Sequence, residues 1–545
     1  MGKKKYSYVS LFSSSGVGCY GFKLNGFECV ATNELIERRL QVQKNNSKCS
    51  SDNKYVSGDI LQESTTEQIL SLVEEYKSKN PEGIDFLVAT PPCQGISVAN
   101  HKKTKSDKKR NSLVVESIKL TTAIKPNIFI YENVRGFLKT ICSDVDGFDK
   151  LISEAIENNL GKDYVITSRV VNFKAYGVPS SRTRTLVIGV RKDLMNLHPN
   201  LLYPYKQKEI TLRQSIGHLP ALQTPGEFWE EDFLHNYKSF DPKMIPWIEN
   251  LKEGQSAFDN TEEFRIPHTI KNGQRVVNAN KNSDKYKKQR WDSVGPCVHT
   301  RNDTFSSQNT LHPTDNRVFS IRELMIMMSI PDTFNWFDKR LTEILNLSNE
   351  EKAEILKKNE INIRQSIGES VPTKVFFDMA KRYLELKSIF DSSEYRVTVI
   401  DNYLNDINAL LSEIKSDSVN IKLVYPDYLT LLIIYNSAVL FDRKRINIEI
   451  ISSTNLIKKL EIPNHFTLVK GLKKGHLKMT WLNDQNFPVD EIFRPEDSFE
   501  NNIIVSNNEL KKNILNSYPV VESAFFDCMQ MSVYRVKKDY QYALL

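Results

Sequence analysis

Between residues 6 and 192, short apolar runs alternate with stretches in which apolar positions recur every three or four residues. The runs at 8–12, 28–32, 85–89, 128–132, 164–171 and 185–190 predict strands. Ile69, Leu70, Leu72, Val73 and Tyr76 mark one face of a predicted helix over 66–77, and Phe148, Leu151, Ile152 and Ile156 the inward face of another over 147–159. Strands alternating with helices predict an α/β domain, doubly wound about a Rossmann-like sheet. From 193 to 312 the periodicity weakens while Pro, Gly, Trp and polar residues rise. Helical spacing returns at 320–329 (Ile321, Leu324, Met325, Met328) and at 373–386. The pattern therefore predicts a domain over 1–192 that an insert at 193–312 interrupts and residues 313–387 complete. Residues 388–545 form a further mixed α/β unit, whose apolar runs at 428–435 and 446–451 read as strands or short buried segments.

A chain of 545 residues is too long for one ordinary core, so length alone suggests two to four domains. No stretch approaches the ~18 consecutive apolar residues of a membrane span, and Met1-Gly2-Lys3-Lys4-Lys5 leads into a strand with no apolar leader between them. Gly2 does not complete a myristoylation motif, because Tyr6 stands where Ser or Thr is needed. The seven cysteines are odd in number and contain no CxxC pair, so neither a disulfide framework nor a metal site is expected, and a reducing compartment fits. The formal net charge of +7 is modest but locally concentrated: His101 to Arg110 carries six Lys or Arg against one Asp. A solvated loop would have the same composition; the position of the run favours phosphate contact.

Leu11-Phe12-Ser13-Ser14-Ser15-Gly16-Val17-Gly18 occupies the first strand-to-helix turn, where Gly16 and Gly18 let a ligand approach the backbone. Such a loop fits any Rossmann-like fold. Glu34 ends the second strand region, where a carboxylate accepts from both hydroxyls of a ribose. Gly58-Asp59-Ile60 ends the third, where a carboxylate can accept from an adenine amino group. Each acid alone reads as a surface or capping residue. Placed after three strands of one sheet, they outline a nucleoside site at its carboxyl edge. No GxxxxGK[ST] occurs and the first loop holds no basic residue, which favours S-adenosylmethionine over a nucleotide phosphate.

Reactive residues follow. Cys93 comes after two prolines in Ala89-Thr90-Pro91-Pro92-Cys93-Gln94-Gly95; then come Tyr131-Glu132-Asn133-Val134, Tyr176-Gly177-Val178-Pro179 and Arg182-Thr183-Arg184. A rigidly held thiol, a carboxyl at the next strand end and an arginine pair suit attack on an electron-poor ring such as cytosine. Taken singly, a buried structural cysteine, a helix cap and a surface charge pair are the alternatives. In order and local sequence, these pieces resemble the DNA (cytosine-5) methyltransferase family of prokaryotic restriction–modification systems, over residues 6–387. Arg317-Val318-Phe319-Ser320-Ile321-Arg322-Glu323 and Ile367-Gly368-Glu369-Ser370-Val371-Pro372 carry the resemblance into its last part. The sequence departs from the family pattern at Ser10 (an acid is usual), Ser14 (glycine), Ser180 (glutamine) and Glu369 (asparagine).

The resemblance implies that Cys93 adds to C6 of the cytosine, that Glu132 protonates or hydrogen-bonds N3, and that Arg184 meets O2. Arg182 would support its loop or a phosphate, and Asn133 would hold its own loop through backbone hydrogen bonds. S-adenosylmethionine would contact Phe12, Gly16, Gly18, Glu34, Asp59, Ile60, Pro92 and Leu113. Residues 193–312 would be the target-recognition domain. Gln94, Lys102, Lys103, Lys108, Lys109 and Arg301 would face DNA, with 96–111 as a lid over a flipped base. Double-stranded DNA is then the substrate and a cognate restriction endonuclease the expected partner. The protein would be a monomer in a prokaryotic cytoplasm, at the nucleoid. A tRNA cytosine-5 methyltransferase is the alternative within the enzyme class; the long insert favours DNA. A DNA-binding regulator without catalysis is the alternative outside it, opposed by the joint presence of Cys93, Glu132 and Arg184. Residues 388–545 contain Pro426-Asp427 but no lysine at nuclease spacing after Glu449, so an accessory DNA- or protein-binding unit is expected there, with basic residues 470–478 a candidate contact.

Overall fold

The computed structural model describes residues 5–92, 105–194, 199–204, 207–277 and 282–390, followed by six strands between residues 418 and 536. Cys93, Gln94, Lys102 and Lys103 lie outside the described residues, as does the apolar run at 428–435. The chain divides into two units, Met1–Asp193 with Gln207–Lys381, and Leu194–Lys206 with Arg382–Leu545. Among the described residues no helix is long and apolar enough to cross a membrane.

The first unit is built on β1 (Ser7–Leu11), β2 (Glu28–Glu34), β3 (Tyr55–Ser57), β4 (Phe86–Ala89), β5 (Ile128–Asn133), β6 (Tyr164–Asn172) and β7 (Thr183–Arg191). Their order in the sheet is β3-β2-β1-β4-β5-β7-β6. The first five are parallel; β7 runs antiparallel to β5, and β6 antiparallel to β7. Every residue of β1, β4 and β5 is buried, which is why these runs read as continuously apolar: a parallel sheet is covered on both faces. The order reverses between β1 and β4, and in open α/β sheets ligands sit at the carboxyl ends beside such a reversal.

Helices α1 (Tyr20–Leu24), α2 (Glu37–Asn45), α3 (Glu63–Lys79), α4 (Lys105–Ile124) and α5 (Ile152–Leu160) connect these strands. Ile69 and Val73 of α3 are fully buried, with Leu70, Leu72 and Tyr76 packed beside them. Two expectations need correction. The predicted helix over 147–159 begins only at Ile152, because Gly147 turns the chain at φ 83 and pairs Ile141–Ser143 with Asp149–Leu151 as a hairpin. Phe148 is consequently 70% exposed rather than inward. The supposed lid over 96–111 is helical from Lys105 onward, so Lys108 and Lys109 belong to α4.

The chain completes this domain with α6 (Ile321–Met327), α7 (Asn349–Glu369) and α8 (Thr373–Phe390). Ser320 and Glu323 form a reciprocal cap at the start of α6, which buries Ile321, Leu324 and Met325 as the spacing predicts. Helix α8 returns to the beginning of the chain. A Cβ on Gly21 would stand 2.4 Å from the Phe377 nitrogen, and the Thr373 hydroxyl donates to the Val17 carbonyl at 2.9 Å. Closure across more than 350 residues thus depends on a missing side chain in α1.

Trp247, Ile248, Leu251, Ala257, Tyr286, Phe305 and Leu311 of the insert form a small core that Val318 of the completing segment joins. The insert ends against β7's approach: Ser181 N–H donates to the Gly295 carbonyl at 2.8 Å, and the Ser180 hydroxyl to the Pro296 carbonyl at 2.7 Å.

The second unit contains β8 (Ser418–Val424), β9 (Arg445–Ser452), β10 (His476–Trp481), β11 (Asn502–Asn507), β12 (Val520–Phe526) and β13 (Met531–Val536). They are ordered β10-β9-β8-β11-β13-β12; the first four are parallel, and β13 is antiparallel to both its neighbours.

Candidate active site

The carboxyl ends of β1, β2 and β3 bring the first set of predicted residues together. Phe12 and Ser14 both adopt left-handed φ values, 54 and 47, and Gly16 follows at 83. Such a backbone directs successive amides to one side of the turn and is costly for residues with a Cβ. Gln43, almost fully buried on α2, holds the turn: its amide donates to the Ser13 hydroxyl at 2.7 Å and the Ser14 carbonyl at 2.6 Å. The Ser14 N–H donates to Glu34 Oε2 at 2.8 Å, and Ile36 N–H donates to Oε1 at 3.2 Å. Glu34 is thereby fixed by main-chain donors. Asp59 Oδ1 accepts from the Leu61 N–H at 3.0 Å beside a buried Ile60.

The two glycines differ in what they do. Gly16 has the positive φ that a side chain resists. Gly18 sits in a tightly packed spot, since a Cβ there would approach the side chains of Val371 at 3.1 Å and Phe376 at 3.2 Å. Sequence reasoning missed Arg39, Gln43 and Leu35. Arg39 Nη1 lies 3.4 Å from Glu34 Oε1, and its Nη2 lies 2.5 Å from Glu369 Oε2. Leu35 is 64% exposed immediately after Glu34, an apolar side chain left open at the strand edge. The cue in the sequence was an apolar residue directly after the strand-end acid, in Asn33-Glu34-Leu35.

At the ends of β4 and β5, Thr90 Oγ1 donates to the Phe12 carbonyl at 3.0 Å, and Asn133 Nδ2 donates to the Pro91 carbonyl at 2.9 Å. The Val134 N–H donates back to Asn133 Oδ1 at 2.8 Å. Asn133 therefore clamps the segment leading into Cys93 to the end of β5. Pro91 is buried and Pro92 exposed, while Leu113 of α4 packs against the sheet core.

Glu132 is nearly fully buried, and burial pushes its carboxyl above the usual range, against the opposing pull of Arg184 and Arg182. Arg184 Nε lies 3.2 Å from Glu132 Oε1, yet their alignment forms no hydrogen bond, and among the described residues Oε1 has no hydrogen-bond partner. Arg184 instead donates from Nη1 to the Thr183 carbonyl at 2.8 Å. Arg182 behaves differently. It is buried, its Nη1 donates to the carbonyls of Val298 (2.8 Å) and Gly368 (3.1 Å), and burial lowers its pKa to about 10. Of the two expected roles, support matches this placement, and the buried guanidinium is unsuited to a phosphate.

The orphaned buried polar atoms include Ser14 Oγ, Ser15 Oγ, Arg39 Nε and Glu132 Oε1, all at the carboxyl edge of one sheet. Buried polar groups are ordinarily satisfied, so this edge has the donors and acceptors for a polar ligand. Around the insert, Arg301 is exposed and pairs with Asp303 at 3.2 Å. Trp291 packs on the domain core with the Arg213 guanidinium 5.8 Å from its ring.

Residues 6–385 match the family model described as C-5 cytosine-specific DNA methylase. The chain is 31% identical to the Type II methyltransferase M1.HgaI of Avibacterium volantium over 68% of its own length and 96% of that protein's. It is 27% identical to the Type II methyltransferase M.XorII of Xanthomonas oryzae pv. oryzae, over 60% and 77%. Among solved structures it is similar to the Dnmt2 methyltransferase of S. pombe, at 13% identity and a TM-score of 0.38, covering 70% of this chain and 99% of that one. The chain belongs to the C-5 cytosine-specific DNA methylase family and is a DNA methyltransferase whose relatives include Type II restriction–modification methyltransferases.

Proposed function

We propose that the protein transfers a methyl group from S-adenosylmethionine to C5 of a cytosine flipped from a specific duplex sequence, through a covalent adduct at Cys93. The observation that carries this reading is Glu132: desolvated, raised in pKa and unsatisfied at Oε1, it is suited to hold a proton and deliver it to a ring nitrogen. Addition of the Cys93 thiolate to C6 places negative charge on the ring. Protonation at N3 by Glu132 and the Arg184 cation at O2 would stabilise that charge. S-adenosylmethionine, when bound, supplies an electrophilic methyl group on sulfur. Glu34 would accept the ribose hydroxyls, Asp59 the adenine amino group, and Phe12, Leu35 and Ile60 would flank the base. Loss of the C5 proton then expels the thiolate and restores the ring. The protein would act as a monomer that marks host DNA against a cognate endonuclease.

Two experiments test this. DNA containing 5-fluorocytosine should trap the wild-type protein covalently, because fluorine cannot leave as a proton, while Cys93→Ala should form no adduct and transfer no methyl group. Bisulfite sequencing of DNA from a host expressing the chain should show one methylated sequence context. Turnover by the alanine variant would remove Cys93 from the mechanism, and methylated tRNA with unmethylated DNA would favour the RNA alternative.

The insert is proposed to read that sequence, and a two-stranded ribbon within it supports this. His268–Lys271 pairs with Gln274–Val277 around Asn272-Gly273. His268 packs at a tilt against Trp247, ring centroids 5.5 Å apart, and Arg275 Nη2 donates to the Ile266 carbonyl at 3.3 Å, so these two residues tether one face of the ribbon. The register puts Thr269, Lys271, Gln274 and Val276 on the opposite face, where all four are exposed. The face has no acidic residue and carries side chains suited to a phosphate, an adenine edge and a thymine methyl. The DNA major groove admits a ribbon of this width.

A further inference from the structure

The family pattern has asparagine where this chain has Glu369. An acid at that position adds a negative charge next to a site that already contains Glu34, and the structure compensates it. Arg39, on the first turn of α2, reaches both carboxylates: Nη1 lies 3.4 Å from Glu34 Oε1, and Nη2 lies 2.5 Å from Glu369 Oε2. The Arg39 and Glu34 side chains are 14% and 7% exposed, and that of Glu369 34%. Arg39 Nε is buried and, among the described residues, has no hydrogen-bond partner. Glu369 does not stand free either, because its own carbonyl and that of Gly368 accept from Arg182.

We infer that Arg39 and Glu369 are a matched pair of positioning residues for the cofactor, an ionic substitute for the neutral amide, which sets the orientation of Glu34 toward the ribose. This rests on the S-adenosylmethionine reading above. The physical argument is one of competition. A lone guanidinium beside Glu34 would draw that carboxylate away from the two hydroxyls it must accept, since a charge-assisted hydrogen bond is about twice as strong as a neutral one. Glu369 divides the guanidinium's attraction. In return, Arg39 separates two carboxylates that would otherwise repel one another across a poorly hydrated edge. Either member without the other is therefore worse for the cofactor than both or neither. Glu34 keeps its two main-chain donors, Ser14 and Ile36, in every case.

A double-mutant cycle tests this: Arg39→Ala, Glu369→Asn and the combination, with S-adenosylmethionine affinity measured by calorimetry without DNA. Each single change should weaken binding about tenfold, whereas the double variant should return to within about threefold of wild type. In steady state the loss should fall on KM for the cofactor, with kcat changed less than threefold and affinity for DNA unaltered. A merely structural ion pair would lower thermal stability without this split. Recovery in the double variant also shows that loss in the singles is not misfolding. Additive losses, or single variants that bind like wild type, would overturn the inference while leaving the cofactor reading intact. Wild-type protein that takes up no S-adenosylmethionine would overturn both.

Discussion

The two sheets of this protein begin alike and end differently. Both place their first four strands in the order three-two-one-four, all parallel, and both close with an antiparallel pair whose last strand in sequence lies inside in the second unit and next to β5 in the first. The first sheet has one more parallel strand, β5, between the fourth strand and that pair. Aligned this way, the strand absent from the second sheet is the one that in the first bears Glu132 and Asn133. Nor do β8, β9 and β11 end on an acid; their last residues are Val424, Ser452 and Asn507. A shared winding does not by itself specify chemistry, and among the described residues the second sheet has no counterpart of the strand that bears Glu132 and Asn133.

The largest effect that would sharpen this contrast is expected from Glu132→Gln. It should slow single-turnover methyl transfer by about 10²-fold or more while leaving DNA affinity within a few-fold. Because burial raises its pKa, the ionised Glu132 works against folding at neutral pH, so the same variant should melt no lower than wild type. An unchanged rate would reduce β5 to a structural strand and erase the distinction between the sheets.

Next in size is Arg182→Ala, which strands the Val298 and Gly368 carbonyls in the interior. A loss of about 2–3 kcal/mol in unfolding free energy is expected, read from denaturant midpoints. A variant as stable as wild type would show that the insert's exit is held by other contacts.

A third effect, set by pH, belongs to the first unit. Arg317 is buried and donates to both Glu323 oxygens at 2.7 and 2.8 Å, beside His312. His312 Nδ1 accepts the Asp315 N–H at 2.9 Å, as a neutral ring does, and burial lowers its pKa to about 4. The unfolded chain binds a proton near 6.5 where the folded one does not, so stability should fall as pH drops from about 6.5 toward 4. Below that window, loss of the Arg317-held charge on Glu323, whose pKa is depressed, adds to the decline. Melting temperature should fall by several degrees and His312→Asn should flatten the slope; an unaltered slope would assign the decline elsewhere.

The smallest effect should come from ending the chain after Phe390, which removes the second sheet. M1.HgaI is matched over 96% of its length by about two-thirds of this chain. Single-turnover methyl transfer by the truncated protein is expected within about threefold of the full chain. A collapse of activity would mean that the second sheet takes part in catalysis.

How far the sequence predicted these features depended on the kind of signal. Strands β1, β2, β4, β5 and β7 were visible because burial on both faces makes a short run largely apolar; β6, half exposed, showed through its β-branched residues, and the three-residue β3 was missed. Helix α7 was not, since its NEEKAEILKK beginning is dominated by charge; the Ser348–Glu351 cap was the overlooked cue. The helix over 147–159 was misjudged because Phe148 and Leu151 fit a helical stripe, and a turn at Gly147 outweighs two hydrophobic positions. Glu34, Glu132 and Asn133 could be picked out by their place after strands. Arg39, Gln43 and the buried role of Arg182 could not, because each acts on residues distant in sequence.

Arg182 also fixes where this enzyme can be cut and rejoined. Its guanidinium holds main chain at Val298 and at Gly368, and Ser180 and Ser181 bind Pro296 and Gly295 directly. Residues 295–298 are thus joined to the catalytic framework, although Phe305 and Leu311 beyond them pack with Trp247 and Tyr286 of the insert. A module borrowed from a relative would have to keep the main chain at Gly295, Pro296 and Val298 in register with Ser180, Ser181 and Arg182. A transplant that altered this stretch would disturb the seam that aligns the site, even where the proposed reader itself folded correctly.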